Sequence, residues 1–200
     1  MIYKILGGIA LTLALLVLGA WNFHTTVTTE RTFNASEADV WRVWTDPGSI
    51  QKWWGPRGYT AIVVRNDVRQ GGSYLWAMKS GAMKSGAMKS GAMKSEAMKS
   101  EAMKSAPGTM FWNTGTYQEV VANQKLVSTT SFSNENGKII PGSQVSVPGQ
   151  WPDQITVIVT FSESEGKTRV TVREVGIPLI AYPLMKIGWA QQFDKIQLLL

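Results

Sequence analysis

The chain has no cysteine and one histidine, His24. The first absence excludes disulfides and thiol catalysis, although it does not identify the compartment. The second leaves nothing from which to assemble a Ser-His-Asp triad or a histidine-rich metal centre. No metal and no cofactor are therefore expected. Charge is also sparse, at 17% of residues, with a formal net charge of +6. Much of that excess sits in one place. The stretch "AMKSGAMKSGAMKSGAMKSEAMKSEAMKS", residues 77–105, holds six lysines and two glutamates, so it supplies +4. The remainder, with 14 basic and 12 acidic residues, is nearly balanced. It has no basic cluster interleaved with aromatics, so no nucleic-acid partner is expected.

The repeat has no structural period. A five-residue step turns about 140° on a helix and changes face on a strand. In either geometry the methionines at 78, 83, 88, 93, 98 and 103 scatter, and no face can be buried. Without residues 81–105, the flanks read "GGSYLWAMKSAPGTMFWNTGTY". That is a hairpin of two aromatic strands with a short Pro-Gly turn. The repeat thus reads as a solvated low-complexity insertion at a hairpin tip, where extra loop length costs little.

The other distinctive segment is "MIYKILGGIALTLALLVLGAW". As a helix, Ile2–Trp21 would span about 30 Å, roughly the hydrocarbon thickness of a bilayer. Lys4 can snorkel to one interface, and Trp21 suits the other. Residues 1–22 are expected to anchor the chain in a membrane with the domain outside the cytoplasm. Cleavage near Gly19 and Ala20 would instead make the product secreted or periplasmic.

Residues 23–200 read as a single α+β domain interrupted by the repeat. "TTVTTERTFNA" alternates as a strand, with Val27, Thr29, Arg31 and Phe33 on one face. Ser36 is a helix N-cap before an apolar stripe of Val40, Trp41 and Trp44, and Asp46-Pro47 opens a second short helix. Six strands follow, in "YTAIVVRNDV", "GGSYLWAM", "MFWNTGTYQEVV", "KLVSTTSF", "DQITVIVTFSES" and "KTRVTVREV". Met185, Trp189, Phe193, Ile196 and Leu200 recur at helical spacing to the end. Strands bracketed by helices in this order predict a curved antiparallel sheet around a long C-terminal helix, with a cavity between them.

Five stretches, "RTFNASEADVWRVWTDPGSIQKWWGPRGYT", "RQGGSY", "GTYQEVV" with "KLV", "ITVIVTFSESEGKTRVTVRE" and "GWAQQFDKI", occur in the order found in a known family. From Thr25 to Leu200, apart from the repeat, the chain resembles the activator-of-heat-shock-protein-90-ATPase-homologue branch of the START-like (SRPBCC) superfamily. The resemblance implies the helix-grip fold and an apolar cavity for a small ligand, and it implies no particular reaction.

The candidate ligand contacts are aromatic or share the inward strand parity. They are Trp54 before the "GPRG" turn, Tyr74 and Trp76 on one strand face, Trp112 across the hairpin, and Val157 and Val159 on the sheet floor. Trp189 and Phe193 join them from the helix, one turn apart. Nine tryptophans are many for 200 residues, and hydrophobic-ligand pockets are lined this way. Glu174 shares parity with Val170 and Val172, and Arg31 shares it with Phe33. The two are expected to pair or to hold a polar group of the ligand. The favoured reading is a membrane-tethered domain that binds a hydrophobic or lipid-like small molecule without catalysis. The alternatives are a cyclase- or hydrolase-like enzyme using Glu174, Arg31 or a cavity tyrosine, and a co-chaperone-like interaction module. Oligomeric state is not legible in the sequence.

Overall fold

A computed structural model describes Gly19, residues 21–81 and residues 106–200. The expected membrane segment lies almost wholly outside the described residues, as do residues 82–105 of the repeat. Among the described residues, no helix is long and apolar enough to cross a membrane.

The elements follow in the expected order: β1 His24–Phe33, α1 Glu37–Thr45, α2 Pro47–Trp53, β2 Tyr59–Asn66, β3 Ser73–Ser80, β4 Met110–Val121, β5 Lys125–Ser133, β6 Ile155–Ser164, β7 Lys167–Pro178 and α3 Tyr182–Gln197. His24, the one histidine, is the first residue of β1, and its ring bonds the Gln150 carbonyl at 2.7 Å.

Local chemistry sets the boundaries. The Ser36 hydroxyl accepts from the Asp39 amide and starts α1. The Asp46 carboxylate accepts from the Ser49 amide at 2.7 Å, and Pro47 fills the first turn of α2. The Ser49 hydroxyl first, and this amide bond second, hold the Asp46 carboxyl below its ordinary pKa. The β6–β7 hairpin turns on Glu165 and Gly166, both with positive φ (55° and 71°), which gives the twist of a two-residue primed turn.

The seven strands form one antiparallel sheet in the order β1-β7-β6-β5-β4-β3-β2. Register shifts at Thr25/Thr26, Val63/Arg65 and Tyr117/Glu119 bend it, because an extra residue in one strand raises the local twist. The helix α3 crosses the concave face. This is the helix-grip architecture. Ser80 N donates to Thr109 O at 2.9 Å and Gly108 N to Ser80 O at 2.8 Å, so the first copy of the repeat, residues 77–80, is not a solvated insertion but the end of β3, with Ala77 and Ser80 buried by pairing with β4.

The end of the grip that holds α1 and α2 is solid. Phe33, Val43, Trp44, Ile50, Trp53, Phe161, Phe193 and Ile196 pack there. Trp44 stacks on Trp189 with ring centroids 5.9 Å apart and planes 4° apart. Of the stripe expected on α1, Val40 and Trp44 are buried, but Val43 replaces Trp41, which lies half-buried against Phe161.

Candidate functional site: a cavity between the terminal helix and the sheet

The other end of the grip is hollow. A cavity of about 440 Å³ lies between the N-terminal half of α3 and the sheet. Met78, Phe111, Asn113, Ser131 and Phe132 line it from β3, β4 and β5, with Ile155 and Glu174 from β6 and β7. Met185, Gly188, Trp189 and Gln192 of α3 form the opposite wall. Trp151, in the segment before β6, closes one side, its ring edge-on to Phe132 at 5.3 Å. A smaller recess of about 60 Å³ shares Trp54, Thr130, Glu174 and Trp189 with the cavity and adds Tyr74, Trp76, Tyr117, Val157 and Val159.

Helix α3 positions the loop that carries Trp54. The Gln192 side-chain oxygen accepts from the Gly55 amide at 3.0 Å, the Gln191 side-chain oxygen from the Arg57 amide at 2.8 Å, and Lys195 Nζ donates to the Gly55 carbonyl at 2.7 Å. Half-buried beside Arg57, the Lys195 ammonium has its pKa lowered, first by loss of solvation and then by the guanidinium. Trp54 then lies edge-on to Trp76, 5.0 Å between centroids, and Trp76 lies on Tyr74 at 4.5 Å.

Glu174 is the ionisable group common to both spaces. It is 6% exposed, and its Oε2 is buried without a hydrogen-bond partner in the protein. Its strand partners are Val27 and Val157, both apolar. Burial raises its pKa to about 7, and the neighbouring Trp189 indole offsets part of the rise without completing a hydrogen bond. The indole N–H groups of Trp54, Trp76 and Trp189 are also buried and unpartnered. By contrast, Tyr74 donates to the Thr129 carbonyl at 3.0 Å and bonds the Thr130 hydroxyl, while Tyr117 donates to Asn66 Oδ1 at 2.7 Å. Burial pushes the Tyr74 phenol up to about 12 and raises that of Tyr117 as well.

Seven of the ten residues singled out from sequence meet here: Trp54, Tyr74, Trp76, Val157, Val159, Glu174 and Trp189. Three do not. Trp112 lies on the opposite face of β4, because the register pairs Trp76 with Asn113 and Met78 with Phe111, and cross-strand partners share a face. Phe193 does face the sheet, but it packs edge-on against Phe33 at 5.9 Å in the solid end of the core. Arg31 keeps its inward parity, yet on edge strand β1 it reaches α3 instead of the cavity. It bridges Asp194 at 3.2 Å, lies over the Phe193 ring at 5.7 Å and does not pair with Glu174. Arg57 shares that aspartate at 2.8 Å.

Sequence reasoning missed Asn113 and Phe111, whose parity follows from that same register. It also missed Trp151, which stands outside any alternating run, and Gly188, which has no side chain to signal a wall.

The model of the family described as Activator of Hsp90 ATPase homolog 1-like protein matches residues 34–93 and 88–200. Among solved structures, a protein of Chromobacterium violaceum is similar with a TM-score of 0.64 at 20% identity, over 87% of this chain and 95% of that one. A protein of Mycobacterium smegmatis aligns with a TM-score of 0.62 at 20% identity, covering 88% and 90%. The AHSA1 protein of Silicibacter pomeroyi aligns with a TM-score of 0.60 at 14% identity, covering 87% and 96%. At these identities the likeness shows the fold. No curated protein matches the sequence.

Proposed function

We propose, for a chain that belongs to the Activator of Hsp90 ATPase homolog 1-like family, that it binds a small, largely apolar molecule between α3 and the sheet. The observation that carries this reading is the cavity itself. At about 440 Å³ it lies within the range of small-molecule sites, and its walls are mostly aliphatic and aromatic with a few polar groups set among them. A domain of this size ordinarily fills such a volume with side chains, because an empty apolar space forfeits dispersion contacts. Trp54, Trp189 and Glu174 would touch the ligand in the cavity. Tyr74, Trp76, Val157 and Val159 would meet whatever part of it enters the recess.

Gly188 offers the sharpest test. It sits in the middle of α3 on the cavity wall, and a Cβ built there meets no atom within 4 Å. Gly188→Leu should stabilise the helix by about 0.5–1 kcal/mol while filling the binding space. The expected result is a melting temperature equal to or above wild type, with binding of the uncharged fluorophore N-phenyl-1-naphthylamine weakened by about tenfold or more. A lower melting temperature with unchanged fluorophore binding would mean that the space is no ligand site.

The proposal extends to location. Residues 1–22 would hold the domain at a membrane, with the cavity outside the cytoplasm. The full chain should then sediment with membranes, and a reporter fused after Leu200 should be active only outside the cytoplasm. A soluble product beginning near Trp21 would establish cleavage in place of anchoring.

A further inference from the structure

We infer that the ligand is an organic cation, an apolar body bearing a protonated amine, whose ammonium is neutralised by the Glu174 carboxylate where the cavity meets the recess. The inference rests on the ligand-binding reading above and adds the charge of the ligand to it.

Three observations carry it. First, Glu174 is an acid without a counter-ion. Among the described residues no Lys, Arg or His lines either space. The cations on α3 and those bonded to it are engaged elsewhere: Arg31 and Arg57 with Asp194, Lys186 with the Thr28 carbonyl, and Lys195 with the carbonyls of Gly55 and Pro56. An anionic ligand would therefore meet a carboxyl and nothing to balance its own charge. Second, Oε2 of the carboxyl is buried without a hydrogen-bond partner in the protein, so its need is left for a molecule that enters. A buried carboxylate without a partner is costly, and a cation placed against it offsets that cost. Third, the surround is aromatic. Trp54, Tyr74, Trp76 and Trp189 border the space beside Glu174, and aromatic faces attract ammonium groups electrostatically. The unpartnered Trp189 indole, adjacent to the carboxyl, favours its ionised form.

The pH dependence follows from what faces Glu174. From β1 its partner is Val27 and from β6 it is Val157. The helix α3 brings Met185, Trp189 and Gln192 to the same cavity. The facing titratable groups are phenols, those of Tyr59, Tyr74 and Tyr117. Between pH 5 and 8, the carboxyl of Glu174 is therefore the group whose charge changes. A cation needs the ionised carboxylate. Its affinity should rise about tenfold per pH unit at pH 5–6.5 and level off above about pH 7.5, because the Glu174 pKa lies near 7. A neutral acceptor would prefer the protonated acid and show the opposite slope.

The test uses the full-length protein and three naphthyl probes of matched size, read by their own fluorescence. They are 1-naphthylmethylamine, 1-naphthylmethanol and 1-naphthoic acid. The amine should bind most tightly at pH 8, show the rising profile, and lose both its advantage and its pH dependence in Glu174→Gln. The alcohol should bind the variant at pH 8 at least as tightly as wild type, which reports an intact cavity. Binding of the acid as tight as that of the amine, or of the alcohol tighter than the amine at pH 8, would overturn the cation assignment and leave the cavity reading standing. Failure of all three probes, with Gly188→Leu changing no ligand's binding, would overturn both.

Discussion

Glu174→Gln should make the protein more stable than wild type at pH 8 by about 3 kcal/mol relative to any difference at pH 4. In the folded protein burial holds the Glu174 pKa near 7, against an ordinary value of 4.5. Between those two values the unfolded chain gives up this proton while the folded one keeps it. Wild-type stability therefore falls as pH rises from about 4.5 to 7 and stays reduced above that, at about 1.4 kcal/mol for each pH unit between the two values. The amide has no such proton to lose. At pH 8 the difference amounts to roughly 6–12 °C in melting temperature for a domain of this size. Thermal melts of both proteins from pH 4 to 8, without ligand, measure it. Parallel curves would mean that the carboxyl is solvated or paired, and the buried-acid description would fail.

Gly115→Ala should be the most damaging single-methyl change in the sheet. A Cβ on Gly115 would stand 1.9 Å from the Thr129 carbonyl oxygen and 2.5 Å from the Tyr74 ring, well inside contact distance. The carbonyl is backbone of the neighbouring strand, and the ring is fixed by its bonds to Thr129 and Thr130. Neither can yield without opening β4 from β5 or displacing Tyr74 from the recess wall. The expected loss is about 3 kcal/mol or more, the upper range for overpacking. The midpoint of urea unfolding reads it directly. An unchanged midpoint would show that β4 and the Tyr74 ring are not packed as described.

These two positions differ in how visible they are in the sequence. Glu174 was legible, because β7 alternates cleanly and the residue shares parity with Val170 and Val172. Gly115 sits in an alternating strand whose period says nothing about how closely the next strand approaches. The strands and helices themselves were legible for the same reason as Glu174: alternation, Ser36 and Asp46 as caps, and helical spacing from Met185 onward are all local signals. What failed was relational. The face occupied by Trp112 depends on the register of β4 against β3. Phe193 has the right helical phase, yet it stands one turn beyond the hollow end of the core. Arg31 has the right parity, but it sits on an edge strand where Asp194 of α3 is within reach. The wall at Trp151 belongs to a long segment without periodicity, and its position is set by edge-on contact with the Phe132 ring and by its indole N–H donating to the Pro148 carbonyl. Local pattern assigns a side chain to a face, whereas the neighbouring elements decide whether that face meets packed core, cavity or a partner charge.

The central claim is that the space between α3 and the sheet is a ligand site. Mass spectrometry of small molecules extracted from natively purified full-length protein tests it most directly, with Gly188→Leu purified in parallel. Wild type should release an apolar amine in near-stoichiometric amount, and the Gly188→Leu protein, folded and at least as stable, should release little or none. An empty wild-type protein, or equal amounts of the same molecule from both, would contradict the claim.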